Sequence, residues 1–143
     1  MYNSYRTNRN MKLTTHSEYG LLALLYICRS NGEGYIPLSE IASTQKLPLK
    51  YMEHLMQRLC RGGYLLSLRG KCGGYRLARP ANRISIAEII RLFDGPLAPT
   101  GSASKYFYKS TPIEKEKKLL RLMKNIRDYI AKKLETMTLA DIA

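Results

Sequence analysis

The chain has 143 residues, 24 Lys and Arg against 11 Asp and Glu, and a formal net charge of +13. That length holds one domain, or one domain with an appendage. A composition of 45% apolar and 24% charged residues excludes a wholly disordered chain, and the longest apolar run, Leu21 to Cys28, is far short of the ~20 residues that span a bilayer.

In chain order, residues 1–10 are polar, lack a period and do not form a signal-peptide pattern. They read as a flexible basic arm, or as an upstream extension before a second start at Met11, on a protein expected to be cytoplasmic. Thr15-His16-Ser17-Glu18 has the spacing of a capping box, and the helix that follows, about His16 to Ser30, is apolar nearly all round, as a central core helix would be. Asn31 to Gly34 ends it. Tyr35-Ile36-Pro37 is a short extended piece, followed by a short helix over Leu38 to Gln45 with Ile41 and Ala42 inward. After the turn at Lys46-Leu47-Pro48, the spacing predicts a helix to about Arg61. Met52, Leu55, Met56 and Leu59 form its apolar stripe, and Lys50, Glu53, His54, Gln57 and Arg58 lie on its other face.

Gly62-Gly63 stops that helix. Tyr64–Arg69 and Tyr75–Arg79 read as two strands around the Gly-rich tip Gly70–Gly74. Ser85 and Glu88 make a second capping box, opening a helix with Ile86, Ile89, Ile90 and Phe93 on one face and Ile84 placed to staple onto Ile89. Residues 95–110 have no period and are expected to be a long loop. Thr111-Pro112-Ile113-Glu114 reads as a third capping box, and a long helix is expected from there to about Glu135. Its stripe is Leu119, Met123, Ile126, Ile130, Leu134 and Met137. Thr138 starts a last short turn.

Helix, short helix, turn, amphipathic helix and two-stranded ribbon, in that order, predict a mainly α winged helix-turn-helix over 11–94, with the loop at 95–110 and a dimerisation helix and turn over 111–143. A helix fits the major groove of DNA, where its exposed side chains meet base edges. Arg69, Lys71, Arg76 and Arg79 of the ribbon supply cations for phosphates. The charge supports this partner. Twelve basic and 4 acidic residues stand up to Pro80, and 12 and 7 after it, so the excess is spread over folded segments rather than held in a tail. The stripe of the long helix has nothing obvious in its own domain to cover it, which points to a second copy of the chain, the alternative being packing back onto its own core helix.

Several segments resemble the Rrf-two family of bacterial winged-helix transcription regulators. They are Met11-Lys12-Leu13-Thr14-Thr15 leading to Tyr19, Leu38-Ser39-Glu40-Ile41-Ala42, Tyr51-Met52-Glu53-His54-Leu55, and above all the wing, Leu68-Arg69-Gly70-Lys71-Cys72-Gly73-Gly74-Tyr75-Arg76-Leu77-Ala78-Arg79-Pro80. Asp94-Gly95-Pro96-Leu97 and Thr138-Leu139-Ala140-Asp141-Ile142 match as well. The resemblance implies a homodimer on a palindromic operator in double-stranded DNA. It places base readout on Lys50, Tyr51, Glu53, His54 and Gln57, and Arg69 and Gly70 at the minor groove. Pro48 stands where relatives often carry a Ser that caps this helix and touches DNA. Several relatives hold an iron–sulfur cluster on three Cys in the loop after Asp-Gly-Pro, and here that loop has none. No cofactor and no metal ligand set is therefore expected.

The three cysteines, Cys28, Cys60 and Cys72, include no C-x-x-C pair. Cys72 sits among Gly and basic neighbours at the wing tip, where positive charge favours thiolate, so a thiol redox switch is an alternative reading. A further alternative is a regulator that senses a metabolic enzyme as its protein partner, and the effector stays open between a protein and a small molecule. Glu53 is read either as an acceptor for cytosine N4 or as an ion-pair partner of Arg58 or Lys50. His16 is expected on the surface of the first turn. The glycines at 70–74 lack nucleotide-loop spacing, and no catalytic set converges in the sequence, so no enzyme is expected.

Overall fold

The computed structural model describes residues 13–30 and 34–143, so the expected N-terminal arm lies outside the described residues. Helices α1 (Thr15–Arg29), α2 (Leu38–Gln45) and α3 (Leu49–Arg61) are followed by strands β1 (Leu65–Leu68) and β2 (Gly74–Leu77). Helices α4 (Ile86–Asp94), α5 (Lys117–Thr136) and α6 (Leu139–Ile142) complete the order. This is the expected mainly helical winged fold with one small antiparallel sheet.

The central position of α1 follows from its apolar circumference. It packs on α2, α3, α4, α6 and β2, and Ala23 and Leu24 are fully buried. Gly20 lets α4 approach closely: a Cβ there would stand 2.4 Å from the Phe93 ring. On α3 the predicted stripe Met52, Leu55, Met56 and Leu59 is buried to the last residue, each such side chain contributing about 1.5–3 kcal/mol.

In the wing, Leu65 pairs with Leu77 and Leu68 with Gly74. The Tyr35-Ile36-Pro37 piece has a job there. Ile36 exchanges both backbone hydrogen bonds with Tyr75, at 2.9 and 2.8 Å, so the wing base is stitched to the start of α2. Gly74 is required at that seam, with φ at 152° and an added Cβ only 2.1 Å from the Ile36 carbonyl oxygen.

Helix starts were legible only where no third group competes for the cap. The Ser85–Glu88 capping box forms as expected. The first box does not: the N-cap of α1 is Thr14, one residue earlier, whose hydroxyl accepts from the Ser17 N–H. Asp94, at the far end of α4, accepts from the Thr14 N–H at 3.1 Å and from its hydroxyl, and this fixes Thr14 just outside the helix. The third box fails as well. The Thr111 hydroxyl bonds Ser102 and Thr100, and Glu114 takes Ser110 and Tyr108 instead of capping. Pro112–Lys115 is therefore a 3-10 turn, and α5 starts only at Lys117. Thr138 and Asp141 form a capping box that opens α6, where the sequence predicts only a last short turn.

The 95–110 segment contains no long regular element; its middle is packed, while residues 105–110 are exposed. A 3-10 turn at Gly101–Ala103 leaves Ser102, Ala103 and Ser104 buried in sequence. The Arg127 guanidinium of α5 donates to the Ala103 carbonyl at 2.8 Å. The far end of α5 is pinned back to the core, where Ser85 pairs with Thr138 and Leu139 is fully buried.

Candidate nucleic-acid interface

Helix α3 stands on its buried stripe, so its opposite face points to solvent. Lys50, Glu53, His54 and Gln57 are all exposed along it. The wing tip adds Arg69, Gly70, Lys71 and Cys72, every one exposed, and Gly70 carries a positive φ of 111°. These two clusters are the parts of the predicted site that the fold leaves accessible.

Two other predicted residues of α3 are half-buried and engaged within the chain. Tyr51 lies in an aromatic stack on α1. Its ring is parallel to His16 at a centroid distance of 5.2 Å and edge-on to Tyr19 at 5.5 Å. His16 is therefore a packing partner of α3 rather than a free first-turn residue. Arg58 donates to the Leu92 carbonyl at 2.6 Å, with its guanidinium 4.9 Å from the Phe93 ring centroid. It braces α3 against α4. Among the described residues Glu53 makes no salt bridge, with Arg58 or any other cation.

The wing cations divide in the same way. Arg79 pairs with Glu88 at 3.2 Å and covers the Tyr64 ring, so it stabilises the base of the wing. Arg76 is exposed but lies over Tyr35. Burial works to raise the Glu88 carboxyl, yet the Ser85 N–H, the Arg79 guanidinium and the Ser85 hydroxyl together hold it below its ordinary value. The braces on Tyr51 and Arg58 were missed because periodicity assigns a residue to a helix face and says nothing of how far a long side chain reaches round it. The aromatic pair His16 and Tyr19, one helical turn apart on α1, was the available signal.

Pro48 is the N-cap of α3, with no side-chain cap hydrogen bond. Of the thiols, Cys72 is exposed while Cys28 and Cys60 are half-buried. Burial pushes the Cys60 thiol up, more than its hydrogen bond with Ser67 lowers it. The 95–110 segment offers hydroxyls, lysines and the exposed rings of Tyr106, Phe107 and Tyr108, and neither a thiol nor an imidazole. Cluster irons need thiolate or imidazole ligands, so this donor set does not fit an iron–sulfur cluster. Nor do three His, Cys, Asp or Glu side chains converge elsewhere among the described residues.

A solvent-facing second helix of a helix-turn-helix beside a basic hairpin tip defines a winged-helix, DNA-binding transcriptional regulator. The family Rrf2, described as an iron-dependent transcriptional regulator, matches residues 13–143, and the chain belongs to it. The HTH-type transcriptional regulator CymR of Bacillus subtilis is 33% identical over 133 residues, covering 93% of this chain and 90% of CymR. The solved structure of CymR, the global cysteine regulator of B. subtilis, is similar with a TM-score of 0.73 at 32% identity, covering 92% of this chain and 95% of that one. The structure of T. potens IscR gives a TM-score of 0.69 at 29% identity, covering 92% and 85%. Among the described residues no helix is long and apolar enough to cross a membrane.

Proposed function

We propose that the chain regulates transcription as a homodimer on a palindromic operator and that it does so without an iron–sulfur cluster. The observation that carries this reading is the pairing of an accessible polar face on α3, Lys50, Glu53, His54 and Gln57, with an accessible cationic wing tip, Arg69 and Lys71. A helix of this kind enters the major groove, where His54 and Gln57 donate to or accept from base edges and Glu53 accepts from cytosine N4. Lys50 and Lys71 neutralise phosphates, and Arg69 reaches the minor groove beside them.

Dimerisation is supported by α5. None of its side chains is buried within the chain, and Leu119, Leu122 and Tyr129 are 41%, 51% and 72% exposed. With Met123, Ile126 and Ile130 they form one broad apolar arc. Leu134 and Met137, at the end of the predicted stripe, pack against the chain's own core. The interface proposed here is therefore displaced from the predicted stripe toward Leu122 and Tyr129. A palindrome presents the same half-site twice, and two linked reading heads bind far more tightly than one.

The test is selection of bound fragments from genomic DNA, followed by titration of the recovered site with salt. A palindromic consensus and a steep fall of affinity with salt are expected. Recovery of unrelated sequences with equal affinity would sink the reading.

A further inference from the structure

Arg91, in the last turn of α4, faces a cavity of about 190 Å³ whose other walls are the 97–107 segment and the second half of α5. Its apolar wall is made by Leu97, Ala98 and Ala131. Its ionic lining is unbalanced, with four cations against Asp128 and Glu135. Two of the cations are committed. Arg91 pairs with Glu135 at 2.5 Å, and Arg127 with Asp128 at 2.6 Å. Lys105 and Lys132 make no salt bridge among the described residues, and the Lys105 ammonium lies 5.4 Å from the centroid of the Tyr106 ring. Once the internal pairs cancel, two positive charges stand beside an apolar wall.

We infer that this cavity binds a small amphipathic carboxylate, its anionic head at Lys105 and Lys132 and its short apolar body against Leu97, Ala98 and Ala131. The volume is below the ~300–1,000 Å³ of pockets that take drug-sized ligands, so the occupant is of benzoate or short-chain-acid size and not a nucleotide. The unpaired cations exclude a cationic ligand, and the apolar wall favours a carbon skeleton over a bare inorganic anion. If the regulator reading holds, the site is placed to control it. Arg91, which lines the cavity, is followed directly by Leu92, whose carbonyl receives Arg58 of α3, so an occupant of the cavity sits against the turn that braces the recognition helix.

The site is tested on the full chain in the absence of DNA, so its failure is distinct from failure of the regulator reading. Backbone amide resonances are followed by NMR during titration with benzoate, with benzamide as its neutral counterpart and sulfate as a bare anion. Benzoate is expected to give saturable shifts at Ala98, Lys105 and Ala131, with benzamide and sulfate roughly tenfold weaker or worse. The Lys105→Ala/Lys132→Ala double variant, altered only at exposed side chains, should melt as the parent does and bind benzoate roughly tenfold more weakly. Ala131→Leu, which fills the cavity, should abolish the shifts. Equal binding of sulfate or benzamide, shifts confined to other surfaces, or no saturation by benzoate overturns the inference.

Discussion

The Arg58 guanidinium of α3 donates to the Leu92 carbonyl of α4 at 2.6 Å while lying 4.9 Å from the centroid of the next side chain, Phe93. Leu92 is in the last turn of its helix, where carbonyls lack an intrahelical partner and a cation meets the negative end of the dipole. One side chain thus caps α4 and fixes the tilt of α3. Arg58→Ala should cost about 1.5–3 kcal/mol of stability in urea unfolding, the range for a hydrogen bond to a charged group. Its operator affinity should fall with the salt dependence unchanged, because no phosphate contact is lost. Arg69→Ala should leave stability unchanged, weaken binding by about 1–3 kcal/mol and flatten the salt slope.

Glu53 is exposed with no salt bridge among the described residues. A carboxylate left unpaired on a surface facing phosphates is repelled unless it accepts from a base. Glu53→Ala should therefore relax base preference at one position of each half-site while binding persists. Sequencing the DNA selected by each protein checks this, and an unchanged consensus would remove Glu53 from the readout.

Ile126 lies in the middle of the apolar arc of α5, half-buried in its own chain beside the exposed Leu122 and Tyr129. Ile126→Asp should leave the fold intact and give monomers in analytical ultracentrifugation, because an unpaired charge in an interface costs several kcal/mol. A variant that stays dimeric would put the interface elsewhere.

Glu88 is held below its ordinary carboxylate value in the folded chain, although burial alone would raise it. A depressed folded pKa means that the stability it contributes is complete above the unfolded value and drains away as pH falls through the folded one. The stability difference between the parent and Glu88→Gln should therefore be largest at neutral pH and narrow on acidification below the ordinary value of 4.5. Urea midpoints at the two ends of that range measure it.

Anaerobic reconstitution with iron and sulfide should leave the protein colourless, with operator affinity unaltered. Stoichiometric iron with visible absorbance, both lost in Cys72→Ala, would restore a cluster to the account. Alkylation should label Cys72 well before Cys60, which is half-buried with its thiol pushed up. If labelled Cys72 leaves operator binding intact, the wing-tip thiol is not a switch.

Most of the fold could be read in the chain because its strongest signals are periodic. The Met52-Leu55-Met56-Leu59 stripe and the Ser85–Glu88 box each depend on residues within a turn or two of one another. What escaped reading depends on distant partners. Asp94 moved the N-cap of α1 to Thr14, and Thr100, Ser102 and Tyr108 dismantled the cap at Thr111 by taking its hydroxyl and the Glu114 carboxylate. The exposed face of α3 was legible for the same reason as its stripe. The inward commitments of Tyr51, Arg58 and Arg79 were not, since each is set by a group brought close only by the tertiary packing.

The seam at Ser85 and Thr138, with Leu139 sunk in the core beside it, leaves no hinge between the reading head and the end of α5. Two such arms crossed in a dimer would behave as a calliper of fixed opening. The distance between recognition helices would be set by where the arms cross, and the adjustment to an operator whose half-sites are one base pair too far apart would fall on the DNA, as twist and bend, rather than on the protein.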